Sequence, residues 1–239
     1  MNIPRAAERL AFSLRSPEFR AELIEQGVAC IGSVLTDADC GSLRAMYDDD
    51  ALFRSTVRMD RHAFGRGEYR YFAAPTPAPV SELRNAAYGP LASIANALTK
   101  ASGRGGTWPD TFDGLNALCA RVGQTRPTPL LLKYAPGDYN RLHQDLYGEI
   151  VFPLQIVFLL SEPGVDYDGG ELTLVENRAR MQSRPIVPPL CKGGAAVFFS
   201  NQRPVRSARG WSSAAMRHGV SEVRRGARMT LGLIFHDAP

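Results

Sequence analysis

The chain is short of the residues that would staple or anchor it. Only four of its 239 residues are cysteine (Cys30, Cys40, Cys119 and Cys191), and none fall in C-x-x-C spacing. That excludes a dense disulfide framework and a cysteine-rich zinc module, and leaves reduced, packed thiols as the expectation. No apolar run approaches the roughly 20 residues that cross a bilayer. The opening Met1-Asn-Ile-Pro-Arg lacks the apolar core of a secretory leader. Arg5, Arg9 and Arg15 are interleaved with Glu8 and Glu18 as on an ordinary surface helix. A cytoplasmic protein with no membrane partner is therefore expected. Internal repeats, low-complexity tracts and linkers strong enough to separate domains are also missing. The net charge of +4 and pI near 9.0 come from scattered residues, which permits a nucleic-acid partner without arguing for one. Histidine is scarce as well, at four residues.

Two of those four histidines fall into a pattern. His143-Gln-Asp145 places an imidazole and a carboxylate two residues apart, and in extended backbone such residues point the same way. His218 supplies a second imidazole from a distant segment. Two histidines and one carboxylate on one face of a metal leave the opposite face open, the ligand set of non-haem Fe(II) oxygenases. If the resemblance to these oxygenases set out below holds, a carboxylate at 145 fills the position a halide would need, which favours hydroxylation or a related oxidation over halogenation. Arg228 opens the apolar run to Phe235, and a strand leaving His218 that turned at Arg225-Gly226 would run back beside it. That turn would bring the planar guanidinium of Arg228, suited to a carboxylate, to the pocket, with Thr230 on the same face. Tyr134, Asn140 and Gln155 are polar groups near this site by sequence, and Trp211 is a candidate for its mouth. Arg66, Tyr69, Arg70 and Tyr71, beside the mobile Gly65 and Gly67, read as a substrate lid.

At 44% hydrophobic residues the chain can bury a sizeable core, and one domain spanning 1–239 is expected. Residues 4–27 read as two helices and 28–31 as a strand. A helix opens at Thr36 and runs to about Tyr47, and Asp48-Asp49-Asp50 is its solvated end. Residues 56–73 form an edge hairpin. A helix spans 80–102, kinked or split at Gly89-Pro90, and another covers 109–122. From Thr125 helical periodicity gives way to short strands at 127–134, 150–160, 171–175, 184–188, 194–200, 203–208, 216–223 and 227–236. About eight strands at this spacing suggest a double-sheet jelly roll. The expected fold is α+β, with 1–122 a mainly helical cap and 123–239 the jelly-roll core.

The segment from Gly65 to Asp237 resembles a bacterial family of 2-oxoglutarate/Fe(II) dioxygenases. The matching runs are Phe64-Gly-Arg-Gly-Glu-Tyr-Arg-Tyr-Phe72, Gln124-Thr-Arg-Pro-Thr-Pro129, Leu142-His-Gln-Asp-Leu-Tyr-Gly148, Pro153-Leu-Gln155, Met181-Gln-Ser-Arg184 and Arg217-His-Gly-Val220. Tyr134-Ala-Pro-Gly137 with His143-Gln-Asp145 also resembles the alkylated-DNA-repair dioxygenases. It departs from them at Leu132, where they carry a co-substrate Asn, and at Ile234, where they carry a second Arg. The resemblance implies a double-stranded β-helix, with Fe(II), 2-oxoglutarate and O2 as cofactors. It implies that Arg228, Thr230 and Tyr134 contact 2-oxoglutarate, whose decarboxylation to succinate and CO2 accompanies oxidation of a C–H bond. The leading expectation is a small-molecule hydroxylase, as a monomer or homodimer, acting on an amino acid or related carboxylate; Arg66 and Arg70 motivate it. The alternative is an oxygenase of nucleic-acid bases. A non-catalytic, cupin-like jelly roll is the third reading, and Arg228-x-Thr230 argues against it.

Overall fold

A computed structural model describes residues 2–208 and 210–239. The chain opens with helices α1 (Ile3–Leu14) and α2 (Pro17–Gln26), strand β1 (Val28–Ile31) and helix α3 (Asp37–Ala45). Strands β2 (Phe53–Arg58), β3 (Gly65–Arg66) and β4 (Glu68–Phe72) follow, then helices α4 (Ala78–Ala101) and α5 (Phe112–Arg121). The remainder is strand: β5 (Leu130–Tyr134), β6 (Tyr139–His143), β7 (Leu154–Leu159), β8 (Tyr167–Gly169), β9 (Leu172–Asn177) and β10 (Arg184–Ile186). It ends with β11 (Ala195–Phe199), β12 (Gln202–Ser207), β13 (Gly210–Val220), β14 (Val223–Gly226) and β15 (Arg228–Leu233).

Local chemistry sets the helix limits. Ser16 caps α2 by accepting from the Phe19 N–H at 3.0 Å, Pro17 stands at the first turn, and Gly27 ends the helix with φ of 81°. Thr36 and Asp39 close a reciprocal capping box on α3. The helix α4 does not split at Pro90 as its sequence suggests. The missing Pro N–H costs one hydrogen bond, but Ala87, Tyr88, Leu91 and Ala92 on either side are almost wholly buried, so packing holds the helix through the break.

Apart from a two-stranded β8–β14 ribbon, the strands form two facing antiparallel sheets. The larger runs β1-β11-β7-β15-β5-β4-β2; the smaller runs β10-β9-β13-β6-β3, with β12 also paired to β13. Both edges of the larger sheet thus come from the first 72 residues, so the N-terminal part is built into the sheet as well as covering it. Strand alternation sorts its side chains. Leu131, Leu154, Ile156, Phe158, Met229 and Leu231 enter the main core with α1 and α4 residues such as Leu10, Leu14, Leu83 and Leu91. The alternate residues, Tyr69, Tyr71, Leu130, Leu132, Tyr134, Gln155, Arg228 and Thr230, line a cavity between the sheets. One face therefore anchors the helices and the other builds the site.

Candidate metal centre and its cavity

β6 and β13 are neighbours in the smaller sheet, with His143 directly opposite His218. Their rings lie 4.2 Å apart between centroids. Asp145, just past the end of β6, reaches back so that its Oδ2 is 3.3 Å from His218 Nε2 and its Oδ1 3.7 Å from His143 Nε2. Ligand atoms of all three residues lie within 4.8 Å of one another, close enough to share one ion. Gln144 turns away, donating to the carbonyls of Asn201 at 3.0 Å and Met216 at 2.7 Å. Burial opposes ionisation of Asp145, but the hydrogen bond and charge of His218, the charge of His143 and the Tyr147 hydroxyl outweigh it and hold the carboxyl far below its usual range. Burial, then the neighbouring charge of His218, lowers His143. A carboxyl held anionic, beside a His143 ring whose burial opposes protonation, suits the deprotonated donors a divalent metal needs.

Facing this cluster from the larger sheet is Arg228. It is 1% exposed, and its Nε and Nη1 have no hydrogen-bond partner. Leaving such donors unmet in a buried site is costly, so the position suits an incoming anion. Arg228 is opposite Tyr134 in the β15–β5 register, Thr230 is opposite Leu132, and the Tyr134 ring lies 5.5 Å from the guanidinium carbon. Burial pushes Tyr134 up to about 12, which keeps it a neutral hydroxyl, and that hydroxyl is also unpartnered. Gly170 makes room for Arg228: a β-carbon there would stand 2.8 Å from Arg228 Cδ. The cavity joining these groups measures about 220 Å3. The residues around it fit a divalent metal on one wall and a carboxylate on the other.

The remaining expected residues divide. Tyr69, Tyr71, Asn140 and Gln155 line the cavity, and Gln155 Nε2 is 3.0 Å from His218 Nε2. Arg70 does not face it. Adjacent strand residues project to opposite faces, so Arg70 turns outward to Asp50 at 2.6 Å and over the Tyr47 ring at 4.7 Å. Arg66 is exposed on the edge strand β3, opposite Tyr139, outside the lining. Trp211 packs against the main core opposite Arg206. It is seven residues from His218, roughly 23 Å along a strand, too far to cover the mouth. The turn at Arg225-Gly226 exists, but β14 pairs with β8 and β15 lies in the opposite sheet. Arg228 therefore meets the histidines across the sandwich, not from a neighbouring strand. Sequence reasoning missed Tyr147, whose hydroxyl donates to Asp145 Oδ1 at 2.8 Å, and Phe64, half-exposed at the cavity. Both stand within the Leu142–Gly148 and Phe64–Phe72 runs, which were the available signal. Leu132 and Ile234, the two departures from the repair enzymes, line the cavity as well.

A family model described as "Oxygenase, catalysing oxidative methylation of damaged DNA" matches residues 67–238. The chain belongs to this oxygenase family. An uncharacterised protein of Mycobacterium tuberculosis is 50% identical over 167 residues, covering 70% of this chain and 72% of its own. A Pseudomonas putida prolyl-4-hydroxylase shares the fold with TM-score 0.53 and 17% identity, covering 96% of this chain and 99% of that one. A Burkholderia pseudomallei oxidoreductase of the 2OG-Fe(II) oxygenase family aligns with TM-score 0.51 and 15% identity over 92% and 91% of the two chains. The α-ketoglutarate-dependent epimerase SnoN of nogalamycin biosynthesis aligns with TM-score 0.55 and 13% identity over 92% and 81%. The oxygenase is therefore built on the double-stranded β-helix of the 2-oxoglutarate/Fe(II) enzymes. Its His–Asp–His cluster is the ligand set that chemistry with Fe(II), 2-oxoglutarate and O2 requires. No helix among the described residues is long and apolar enough to cross a membrane.

Proposed function

We propose that this oxygenase is an Fe(II)- and 2-oxoglutarate-dependent dioxygenase that hydroxylates a C–H bond of a flat, uncharged group, a nucleobase of single-stranded nucleic acid being the substrate class we favour. In this reading His143, Asp145 and His218 hold the metal. Arg228 binds the distal carboxylate of 2-oxoglutarate, with Thr230 and Tyr134 beside it. Bound there, Fe(II) supplies the oxygen activation that turns 2-oxoglutarate into succinate and CO2 and places one oxygen atom in the substrate C–H bond. The single observation that carries the reading is the buried guanidinium of Arg228, with Nε and Nη1 unpartnered, in the cavity that holds the triad.

The cavity wall supports the substrate class. Phe64 and Tyr69 give aromatic surfaces, Leu130 and Leu132 aliphatic ones, and Asn140 and Gln155 neutral polar groups. Arg228 is the one cation among the lining residues apart from the histidines. With Arg66 outside the lining and Arg70 turned to Asp50, neither guanidinium that motivated an acidic metabolite lines the cavity. A base flipped from its stack suits aromatic walls and neutral hydrogen-bonding groups. The family's description as acting on damaged DNA points the same way.

An anaerobic Fe(II) and 2-oxoglutarate titration followed by optical absorption tests the site. Wild-type protein gives a saturable charge-transfer band. Arg228→Ala raises the 2-oxoglutarate requirement at least tenfold, because an unpaired buried contact to a charged group is lost. Unchanged affinity in that variant would refute the anchor. Substrate class is then read from succinate release with N-methylated single-stranded oligonucleotides against an amino-acid panel. Release with the panel alone would refute the nucleobase and restore the carboxylate metabolite.

A further inference from the structure

Tyr147 takes no part in the scheme above, yet it is tied to the metal cluster at one end and to a built scaffold at the other. Its hydroxyl donates to Asp145 Oδ1 at 2.8 Å. The Tyr71 hydroxyl donates to the Tyr147 oxygen at 2.9 Å, which leaves Tyr147's own proton for the carboxylate. The Tyr71 ring is fixed in turn beneath Arg54, whose guanidinium carbon lies 4.6 Å from its centre. The loop carrying Tyr147 is clamped by Gln124, 1% exposed. Gln124 Nε2 donates to the carbonyls of Tyr147 at 3.0 Å, Ile150 at 2.9 Å and Asp237 at 2.6 Å, and its Oε1 accepts from the Ile150 N–H at 2.7 Å. Gly148 has φ of 79°, and a β-carbon there would stand 2.5 Å from Gln124 Cδ. Clamp and loop are thus mutually fitted, and the contact joins the Gln124–Pro129 run to the Leu142–Gly148 run.

The two oxygens of Asp145 are unequal as a result. Oδ1 accepts the Tyr147 O–H and is 3.7 Å from His143 Nε2, while Oδ2 lies on the His218 side at 3.3 Å from Nε2. A carboxylate oxygen that already accepts a strong hydrogen bond is a poorer metal donor, and the bond fixes the rotation of the group. The count of metal positions makes this consequential. Three protein ligands and a co-substrate that chelates through two atoms leave one place of an octahedral site. If Asp145 gripped through both oxygens, that last place would be filled.

We propose that Tyr147, oriented by Tyr71, is a positioning residue that restricts Asp145 to one-oxygen metal coordination and so keeps the sixth coordination place open. The inference rests on the metal-site reading above. It extends that reading to a residue that acts through the Asp145 carboxylate.

The test uses Mn(II) as probe, bound to the intact protein in the presence of 2-oxoglutarate without O2. Water-proton relaxation reports whether an exchangeable water occupies the sixth place, and the titration gives metal affinity. Wild-type protein retains one such water. Tyr147→Phe, which keeps the ring and its packing, loses most of this relaxation enhancement and changes Mn(II) affinity about tenfold, the scale of a lost partner behind a ligand. Tyr71→Phe moves both readings in the same direction by less, and the double variant is no worse than Tyr147→Phe alone, because the two act in series. Wild-type relaxation and affinity in Tyr147→Phe would overturn the proposal while leaving the metal site intact. Failure of wild-type protein to bind Mn(II) would overturn the metal site itself. Gly148→Ala gives an independent check: it leaves both hydroxyls in the sequence but displaces the clamp, and it shifts relaxation as Tyr147→Phe does.

Discussion

At the scale of single residues, the site is an arrangement of groups held in one protonation state by their surroundings. His236 shows the energetic side of this. It is 1% exposed, its Nδ1 accepts from the Phe152 N–H at 3.2 Å, and burial holds it down to about 4. A histidine lowered in the folded state binds its proton more readily when unfolded. Its contribution to stability is intact above its unfolded value near 6.5, drains away as pH falls towards 4, and changes no further below that. The difference corresponds to about 3 kcal/mol. Urea unfolding of the metal-free protein at steps from pH 7 to pH 4 should show this loss. His236→Asn, which retains an acceptor near Nδ1, should flatten the profile by about one proton. An unchanged slope in that variant would assign the acid sensitivity to other groups. The triad was legible at this scale because two residues apart in extended chain means one face. Arg70 was misread for the same reason, since it is one residue from Tyr69 and Tyr71 and so must face away. Tyr147 escaped because its role depends on where the loop after β6 folds, and no periodicity encodes that.

At the scale of elements, the site depends on one turn that sends the chain from the β8–β14 ribbon into the larger sheet. Gly226 makes it with φ of 75°, and a β-carbon there would come 1.9 Å from the backbone oxygen of Asp166. That oxygen also accepts from the Ala227 N–H at 3.0 Å, and Asp166 is tied to Arg44 at 3.1 Å, so it cannot withdraw freely. Gly226→Ala combines a left-handed backbone with a backbone collision and should cost about 3 kcal/mol. In a domain of this size that lowers the melting temperature by about 8 °C. Arg228 lies only two residues on, so 2-oxoglutarate affinity should fall with it. Gly105→Ala, with nothing within 4 Å of the added carbon, is the matched control. Equal melting temperatures for the two variants would show that the turn tolerates a side chain. Composition and spacing announced most of the sandwich, since β5, β7, β11 and β15 are apolar runs bounded by breakers. Three strands were not announced. β6 reads Tyr-Asn-Arg-Leu-His, with no apolar alternation, because its residues divide between the site and solvent. β8 and β14 are three and four residues long and owe their form to pairing with each other. Nor did the sequence tell which sheet β15 would join, a choice made by the packing of Met229, Leu231 and Leu233 against the helices.

At the scale of the whole molecule, a modest net charge conceals a local one. β3 is the edge of the smaller sheet, and its approach carries Arg61, His62, Phe64 and Arg66, all exposed. Phe64 lines the cavity and stacks on His62 with ring centroids 5.3 Å apart and 24° between planes. The Arg141 N–H, on the adjoining β6, donates to the Phe64 carbonyl at 2.8 Å, and the Arg141 side chain is exposed. Among the described residues Arg61, Arg66 and Arg141 form no ion pair, whereas the neighbouring Arg58 and Arg70 are paired with Asp60 and Asp50. Three guanidiniums without an ion pair, that of Arg141 5.9 Å from the Tyr139 ring centre, flank an exposed aromatic stack beside the cavity, an arrangement that suits a single strand, phosphates on the cations and a base on the ring. The two kinds of contact answer differently to salt. Each phosphate neutralised on a single strand contributes about 0.7 to the slope of log affinity against log salt. Replacing Arg61, Arg66 and Arg141 together by serine should therefore reduce that slope by about 2. Phe64→Ala should weaken binding about tenfold, the low end of a lost stacking contact, and leave the slope alone. Fluorescence anisotropy with a labelled single-stranded oligonucleotide over a range of salt separates the two. If the triple variant keeps the wild-type slope, this edge does not meet phosphate, and the entrance serves a small diffusible molecule instead.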